Sequence, residues 1–447
     1  MSIARASGYA ARATKSGLVR LPFPFRAHEV KGYGFAMKFA LACWGSRGDV
    51  EPVAVVGREL QRRGHDVCMA VAPDQIPFVE KLGLTAIAYG VDWSESMKPV
   101  RSFLTLFYRH PWRIPGLIRF WRDRWEVFTR CWGDMSRTLM SVVDGADLLL
   151  TGQSWEEQAS SVAEYYNIPL ATLHYNPIRA NLSWQVRAYE WGYWRLSKRV
   201  EDARRQELGL PKTTSPAPRR IVERGSLELQ AYDAALFPWL PTQWAEFTKE
   251  RPNVGTLTLE WQTDADEEIA AWIAAGPPPI SFGFGSIPVD SPTDIMAMIG
   301  AATAQLGVRA LVVSAGSDYS KGPHFEHVKV VDTMNYAAIF PTVRAIVHRG
   351  GSGTTSAALR SGVPALILWK LPDQFFWGNQ IKRLKVGTAR RLSTATVESL
   401  VSDLRTILAP EYVARAREVA AQMSDASKGT VAAGDLVENF ARTRCVG

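Results

Sequence analysis

Paired cysteines are missing from this sequence. The four present, Cys43, Cys68, Cys131 and Cys445, stand far apart with no C-x-x-C spacing, which excludes a spelled-out zinc ribbon or redox dithiol. They fit a reduced, cytosolic protein whose thiols serve as small apolar residues. Long hydrophobic runs are missing too: no stretch approaches the roughly 18 apolar residues that a membrane span requires, so a soluble protein is expected. Nor does the chain open with the continuous apolar core of a secretory signal. Acidic charge is in mild deficit, with 44 Asp and Glu against 52 Lys and Arg and a formal net charge of +8. That balance favours anionic partners such as phosphates or acidic lipid surfaces without selecting among them. Much of the excess lies in residues 1–36, where Arg5, Arg12, Lys15, Arg20, Arg26 and Lys31 face only Glu29, so no nucleic-acid partner is expected.

What the sequence does have is length and apolar content. A chain of 447 residues that is 47% hydrophobic is too long for one ordinary core and sufficient for two, each of roughly 200 residues. Residues 1–36 lack periodicity and have two readings. One is a flexible tail or a translation start placed too early, with Met37 as the functional start; the other is a basic arm that tethers the protein to a membrane.

From Met37 the pattern becomes strand, glycine-rich turn, helix, strand. Lys38–Trp44 reads as a buried strand, Gly45–Asp49 as the turn, Pro52 as the first helical residue and Gly64 as the helix stop, before a strand over Asp66–Ala72. This βαβ opening implies a parallel sheet. A second opening begins at Ile280–Phe284, with Gly285 and Ser286 in the turn and Ser291-Pro292 as N-cap and first helical residue. Strands at Ala310–Ser314, Val328–Val331, Ala345–His348 and Ala365–Leu368 alternate with helical patterns. The expected organisation is an N-terminal half over 37–255, a polar, proline-rich linker over 256–279, a C-terminal half over 280–425, and a final segment, 426–447, packing back on the first half. Two α/β halves of this kind put a ligand cleft where the carboxyl ends of their sheets face each other. Between Trp93 and Trp194 lie tryptophans 93, 112, 121, 125, 132, 155, 184, 191 and 194. They suit the packing of long helices, an aromatic-lined acceptor pocket or a membrane-facing surface.

Three segments carry candidate chemistry. Gly45-Ser-Arg-Gly-Asp-Val-Glu-Pro52 sets Asp49 at the mouth of the first strand, with Ser46, Arg47 and Gly48 around it. A carboxylate there can take a proton from an acceptor hydroxyl, or it can simply cap the next helix. His348-Arg349-Gly350-Gly351-Ser352-Gly353-Thr354-Thr355 follows an apolar strand and precedes a helical run. Its glycines allow close approach to a diphosphate and the helix start adds N–H donors, although any glycine-rich turn shares the pattern; it is neither a Walker A loop nor G-x-G-x-x-G. Leu371-Pro372-Asp373-Gln374 follows another strand, where Asp373 and Gln374 either hydrogen-bond sugar hydroxyls or make a polar helix start.

Taken together, these segments, with the Gly276–Ser286 entry to the second half and Gly362-Val363-Pro364, resemble the glycosyltransferases that modify glycopeptide antibiotics, sterols and mycobacterial cell-wall lipids. These belong to the broad UDP-glycosyltransferase family, and the glycopeptidolipid branch looks most similar. The likeness covers nearly all of residues 37–440. It implies the GT-B fold, an α/β arrangement of two Rossmann-like parallel-sheet domains facing an interdomain cleft. It also implies Asp49 as general base, Gly285 and Ser286 near the diphosphate, and Gly350, Gly351, Ser352, Gly353 and Thr354 cradling it. Asp373 and Gln374 would hold the donor sugar, and the loop Asp332–Tyr336 would grip the base through Met334 and Asn335. One residue departs from the family pattern: Arg349 stands where a diphosphate-contacting histidine is common. It offers a charged bidentate fork for phosphate oxygens. His348 reads either as a diphosphate contact or as a packed strand-end residue.

The resulting expectation is an inverting, metal-independent hexosyltransferase. It moves a hexose or deoxyhexose from a UDP- or TDP-sugar, a co-substrate rather than a cofactor, to a hydroxyl of a lipid-like acceptor such as a glycopeptidolipid, glycolipid or sterol. No metal site is expected, since the only D-x-D, Asp264-Ala-Asp266, sits in the linker and reads as solvated. A cytoplasmic location, peripheral on the inner membrane face, suits such an acceptor. Alternatives on the same fold are a non-catalytic nucleotide-sugar or lipid-binding homologue, and a nucleotide-sugar epimerase.

Overall fold

The computed structural model describes residues 36–96, 131–177, 184–240, 251–259, 262–285 and 291–445. Trp112, Trp121, Trp125 and Ser286 lie outside that set. Among the described residues, twelve strands make two six-stranded sheets, with orders β3-β2-β1-β4-β5-β6 and β12-β11-β10-β7-β8-β9. In the first, β1 is Lys38–Cys43, β2 Asp66–Val71, β3 Thr85–Ala88, β4 Leu148–Gly152, β5 Leu170–His174 and β6 Leu227–Gln230. In the second, β7 is Ile280–Gly283, β8 Ala310–Val313, β9 Val328–Val331, β10 Ala345–His348, β11 Ala365–Trp369 and β12 Gly387–Arg391. Every pairing is parallel, and both sheets have the same doubly wound topology.

Burial on both faces explains the apolar strands. Along β1, Phe39, Leu41 and Cys43 enter one core with Val53, Val56 and Leu60. The alternate residues Ala40 and Ala42, followed by Trp44, enter the other with Met135 and Leu139, as the two-residue period of a strand requires. In the second half Ile280, Phe282 and Phe284 pack with Met296 and Ile299, while Ile346 and Ile367 pack on the opposite face with Trp377 and Ile381.

Two readings of local structure need correction. The first helix begins at Arg47, with Ser46 as N-cap, and Pro52 lies inside it rather than at its start. Proline there forfeits only the bond to the Gly48 carbonyl, and Gly48 is exposed, so water can satisfy that oxygen. The division near Gly255 is also not a single point. Tyr232, Leu236, Phe237 and Leu240 already pack into the second half's core, whereas Val254 and Leu257 return to the first. Within 256–279, the helix Asp266–Ala274 buries Ile269 and Ile273 in the second core. Apolar residues on both sides of each crossing decide this arrangement, which polar composition alone does not reveal. The final helix, Ala426–Cys445, packs Ala433, Val437 and Ala441 into the first core, and Arg63 reaches its Asp435 at 2.6 Å and Glu438 at 2.9 Å.

Candidate active site

In a doubly wound sheet the ligand crevice opens at the carboxyl ends of the strands where the order reverses. Here those points lie between β1 and β4 and between β7 and β10. Asp49 follows β1, Gly285 follows β7, and His348 to Thr355 closes β10 and begins the next helix.

On the first side the helix Arg47–Arg62 is capped through Asp49. Its Oδ2 accepts the Ser46 N–H at 2.7 Å and the Ser46 Oγ–H at 2.8 Å. Asp49 therefore caps from the third helical position, not as the N-cap itself. Its other oxygen, Oδ1, accepts the Tyr175 phenol. Protein surrounds the carboxyl, although the residue as a whole is only half-buried. Burial pushes the Asp49 carboxyl above its usual range, and the hydrogen bonds from Tyr175 and Ser46 pull it back. The result is a carboxylate with stronger than ordinary basicity. Arg47 is paired with Glu51 at 3.1 Å and lies over the Phe78 ring.

On the second side the chemistry is carried by main chain. Gly350 has φ +93°, and a Cβ there would lie 2.8 Å from Ile367 Cγ2 and 3.1 Å from the Gln374 carbonyl, so only glycine makes this turn without strain. Gly351 is the N-cap of the helix Ser352–Arg360, with no side chain capping it. The first N–H groups of that helix are therefore available to an anion, with the positive end of the helix dipole behind them. A Cβ at Gly351 or Gly353 would meet nothing within 4 Å; open space stands before the turn. Gly285, exposed and with φ +68°, borders the same crevice end.

His348 is buried, and its Nδ1 accepts the Gly350 N–H at 3.0 Å. Burial pushes the imidazole down to about 3, so the ring is neutral at working pH, with its proton on Nε2 as the Nδ1 bond dictates. The ring thus braces the glycine turn. Arg349 is buried as well, beside Tyr319, whose phenol burial pushes up to about 12 against the opposing charge of Arg349. This places the guanidinium within the second half's own packing rather than on an open wall.

Met334, Tyr336, His348 and Thr354 surround, with Ser281 and Gly283, a gap with no room for a water molecule, and Met334 is itself buried in the second half's core. Asn335 is used locally: its Oδ1 caps the short helix Tyr336–Ile339, and its N–H donates to Asp266 Oδ1 at 2.8 Å. Asp266, expected to be solvated, instead accepts that bond and two more from Thr263, because it starts a helix that packs beneath the loop; Asp264 remains exposed. Asp373 lies on the cleft wall, exposed yet amid protein, and its carboxyl is raised by burial and by the nearby charge of Asp49. Gln374 is buried, and its Oε1 accepts the Lys370 and Leu371 N–H groups at 2.8 and 3.1 Å. Its carbonyl is thus committed to capping the helix Pro372–Leu384.

The two sides meet. Ser352 Oγ donates to the Tyr175 carbonyl at 2.7 Å, and Trp377 Nε1 donates to Asn176 Oδ1 at 2.7 Å. Tyr336 of the second half feels the charges of Arg47 and Glu51. Tyr175 and Asn176 were not singled out from sequence. Their only signal is position: they follow the apolar run Leu170–His174, as Asp49 follows β1. Of the tryptophans, Trp44, at the end of β1, packs edge-on against Trp93 and Trp155 at 5.0 and 5.7 Å, and Trp155 against Trp132 at 5.6 Å. Trp132 and Trp194 are buried, while Trp191 is 56% exposed.

Comparison with known proteins agrees with this fold. Residues 296–439 match the family described as erythromycin biosynthesis protein CIII-like, C-terminal domain. A glycosyltransferase of Mycobacterium tuberculosis, itself uncharacterised, is 52% identical over 419 residues, spanning 91% of this chain and 99% of the relative. A sterol 3-beta-glucosyltransferase of Arabidopsis thaliana is 27% identical, covering 89% of this chain and 67% of that protein. Among solved structures, the kitacinnamycin glycosyltransferase aligns with a TM-score of 0.66 at 17% identity, covering 91% of this chain and all, 100%, of that one. A Streptomyces glycosyltransferase complexed with thymidine diphosphate aligns with a TM-score of 0.61 at 18% identity, covering 90% and 99%. With its two doubly wound sheets and a relative identical at half of all positions, the chain is a glycosyltransferase with the GT-B fold and belongs to the UDP-glycosyltransferase superfamily.

Proposed function

We propose that this protein transfers a hexose or deoxyhexose from a UDP- or TDP-sugar to a hydroxyl of an apolar, lipid-like acceptor, with inversion and without a metal ion. The observation that carries the reading is the opposition of a cleft-facing carboxylate, Asp49, to an uncapped helix N-terminus at Gly351, joined through Tyr175 and Ser352.

In the proposed step the acceptor O–H proton passes to Asp49 Oδ1, the oxygen not reserved by Ser46, as the acceptor oxygen bonds to the anomeric carbon. The bond from that carbon to the diphosphate oxygen breaks, and its electron pair leaves with the nucleoside diphosphate from the opposite face. The Gly350–Thr355 main chain and the helix dipole stabilise the developing charge, as a metal would elsewhere. Arg349 adds positive potential from within the second half. Asp373 and Gln374 bound the hexose site, while Met334 and Asn335 bound the base site. Structures of the same fold with thymidine diphosphate bound support the donor class.

For the acceptor, support comes from the Trp44, Trp93 and Trp155 group one residue from the Gly45–Asp49 turn, and from the sterol glucosyltransferase among the relatives. No helix among the described residues is long and apolar enough to cross a membrane, and a peripheral position on the cytoplasmic membrane face would suit such an acceptor.

The test has two parts. Mass spectrometry of envelope lipids from cells with and without the protein should reveal a hexose or deoxyhexose that depends on it. The purified protein should then transfer that sugar in the presence of EDTA. Loss of activity in the chelator, restored by a divalent ion, would overturn metal independence; a sugar found only on water-soluble acceptors would overturn the acceptor class.

A further inference from the structure

The two-residue segment Tyr175-Asn176 takes no chemical part in the proposed reaction, and any further role for it rests on Asp49 being the general base. Two hydrogen bonds from Ser46 occupy Asp49 Oδ2. The Tyr175 phenol takes one lone-pair direction of Oδ1, leaving the other for an acceptor hydroxyl. The remaining neighbours are the Cys43 thiol, which donates to the Asp49 main-chain carbonyl at 3.2 Å, and the Asp373 carboxylate across the cleft. Among the described residues, Tyr175 is therefore the one side-chain donor that holds the reacting oxygen. It is buried, and burial, with Asp49 beside it, pushes its phenol well above the ordinary range. It remains a donor at every working pH.

The same residue is tied to the other half through its main chain. Its carbonyl accepts the Ser352 hydroxyl from the glycine turn, and its neighbour Asn176 accepts the indole N–H of Trp377. Side chain and main chain thus face different halves of the protein. We propose that Tyr175 is a positioning residue that aims Asp49 Oδ1 into the cleft, and that the Ser352 and Trp377 contacts make this aim depend on the docking of the donor-side half. The arrangement would keep the base misaligned while the halves are apart and complete it as they close.

The experiment uses the full chain labelled with [4-13C]aspartate. The Asp49 carboxyl resonance is identified by its disappearance in Asp49→Asn and titrated in the wild type, Tyr175→Phe and Ser352→Ala. A donor hydrogen bond favours the ionised carboxylate, so Tyr175→Phe should move the Asp49 midpoint upward. Ser352→Ala should move it in the same direction by a smaller amount. An unchanged midpoint in Tyr175→Phe overturns the positioning role. A shift in Tyr175→Phe with none in Ser352→Ala overturns the dependence on docking. Should Tyr175→Phe fail to fold, Ser352→Ala carries the test alone. The readout needs no turnover, so its failure is distinct from failure of the base assignment, which appears as undiminished transfer by Asp49→Asn.

Discussion

The loops after β1 and β10 each border the switch point of one of two sheets with the same topology, yet they present opposite chemistry. After β1 the turn offers a side chain: a carboxylate whose basicity is raised by burial and trimmed by Ser46 and Tyr175. After β10 it offers none: glycines strip the turn to main chain, leaving N–H groups and a helix dipole. Topology supplies the location, and the residues just past the strand decide whether it gives or takes negative charge. A base needs one defined oxygen, which a braced side chain supplies; a diphosphate needs several donors at close range, which bare main chain supplies.

The comparison breaks most decisively at Asp49. Asp49→Asn keeps the shape and removes the proposed base, so transfer should fall by about 10²- to 10⁴-fold, whereas TDP affinity, measured by calorimetry, should stay within about threefold because the proposed anion site lies on the other side. On the second side the contrast falls between adjacent glycines. Gly350→Ala sets a Cβ against Ile367 at a positive φ and should cost about 1–3 kcal/mol of stability as well as donor affinity. Gly351→Ala, at φ −63° with space around it, should cost no more than about 1 kcal/mol while weakening TDP binding by obstructing the approach. Equal stability losses in chemical denaturation would show that the two glycines do not divide the work.

The pH dependence sharpens the first side. In the proposed mechanism Asp49 acts as a carboxylate, and burial raises its folded-state value above the ordinary aspartate range. Transfer is therefore full above that value and lost as pH falls through it, with the acid limb of kcat/KM beginning at higher pH than an exposed aspartate would give. An acid limb within or below the ordinary aspartate range would show that the titrating base is not this buried carboxyl.

Much of this contrast was legible in the sequence, and the exceptions have physical causes. The strands Val328–Val331 and Ala345–His348 fall where apolar runs place them, and Ser291 and Pro292 start their helix as their capping chemistry requires. Glycine-rich turns after β1 and β10 are legible as turns where apolar runs end, although any glycine-rich turn shares the pattern. Tyr175 does not, since its value comes from being brought beside Asp49 from 126 positions away. Nor does the braiding of residues 232–240 and 251–259 between two cores, because an apolar residue does not state which core it enters. The cap from Ser424 to Asp233, with N–H and Oγ both at 2.7 Å from Oδ2, locks that braid and is equally silent in one dimension. Polar residues at helix starts are the hardest case: Asp49, Asn335 and Gln374 all cap, Asp266 holds Thr263 and Asn335, and such local bonds alone do not say whether a side chain has a second task.

Gln374 offers the finest cut through that ambiguity. Its Oε1 holds the N–H groups of Lys370 and Leu371, so Gln374→Ala should lose about 0.5–2 kcal/mol, the usual worth of such a cap. Gln374→Glu keeps an acceptor oxygen in the first turn, where negative charge is favoured, and should retain most of that stability while deleting the Nε2 donor. If the amide also holds a sugar hydroxyl, Gln374→Glu will raise the donor KM at a nearly unchanged melting temperature. If donor KM and kcat stay at wild-type values in Gln374→Glu and only Gln374→Ala suffers, in stability, the residue is a helix cap and the sugar is held by Asp373 without it.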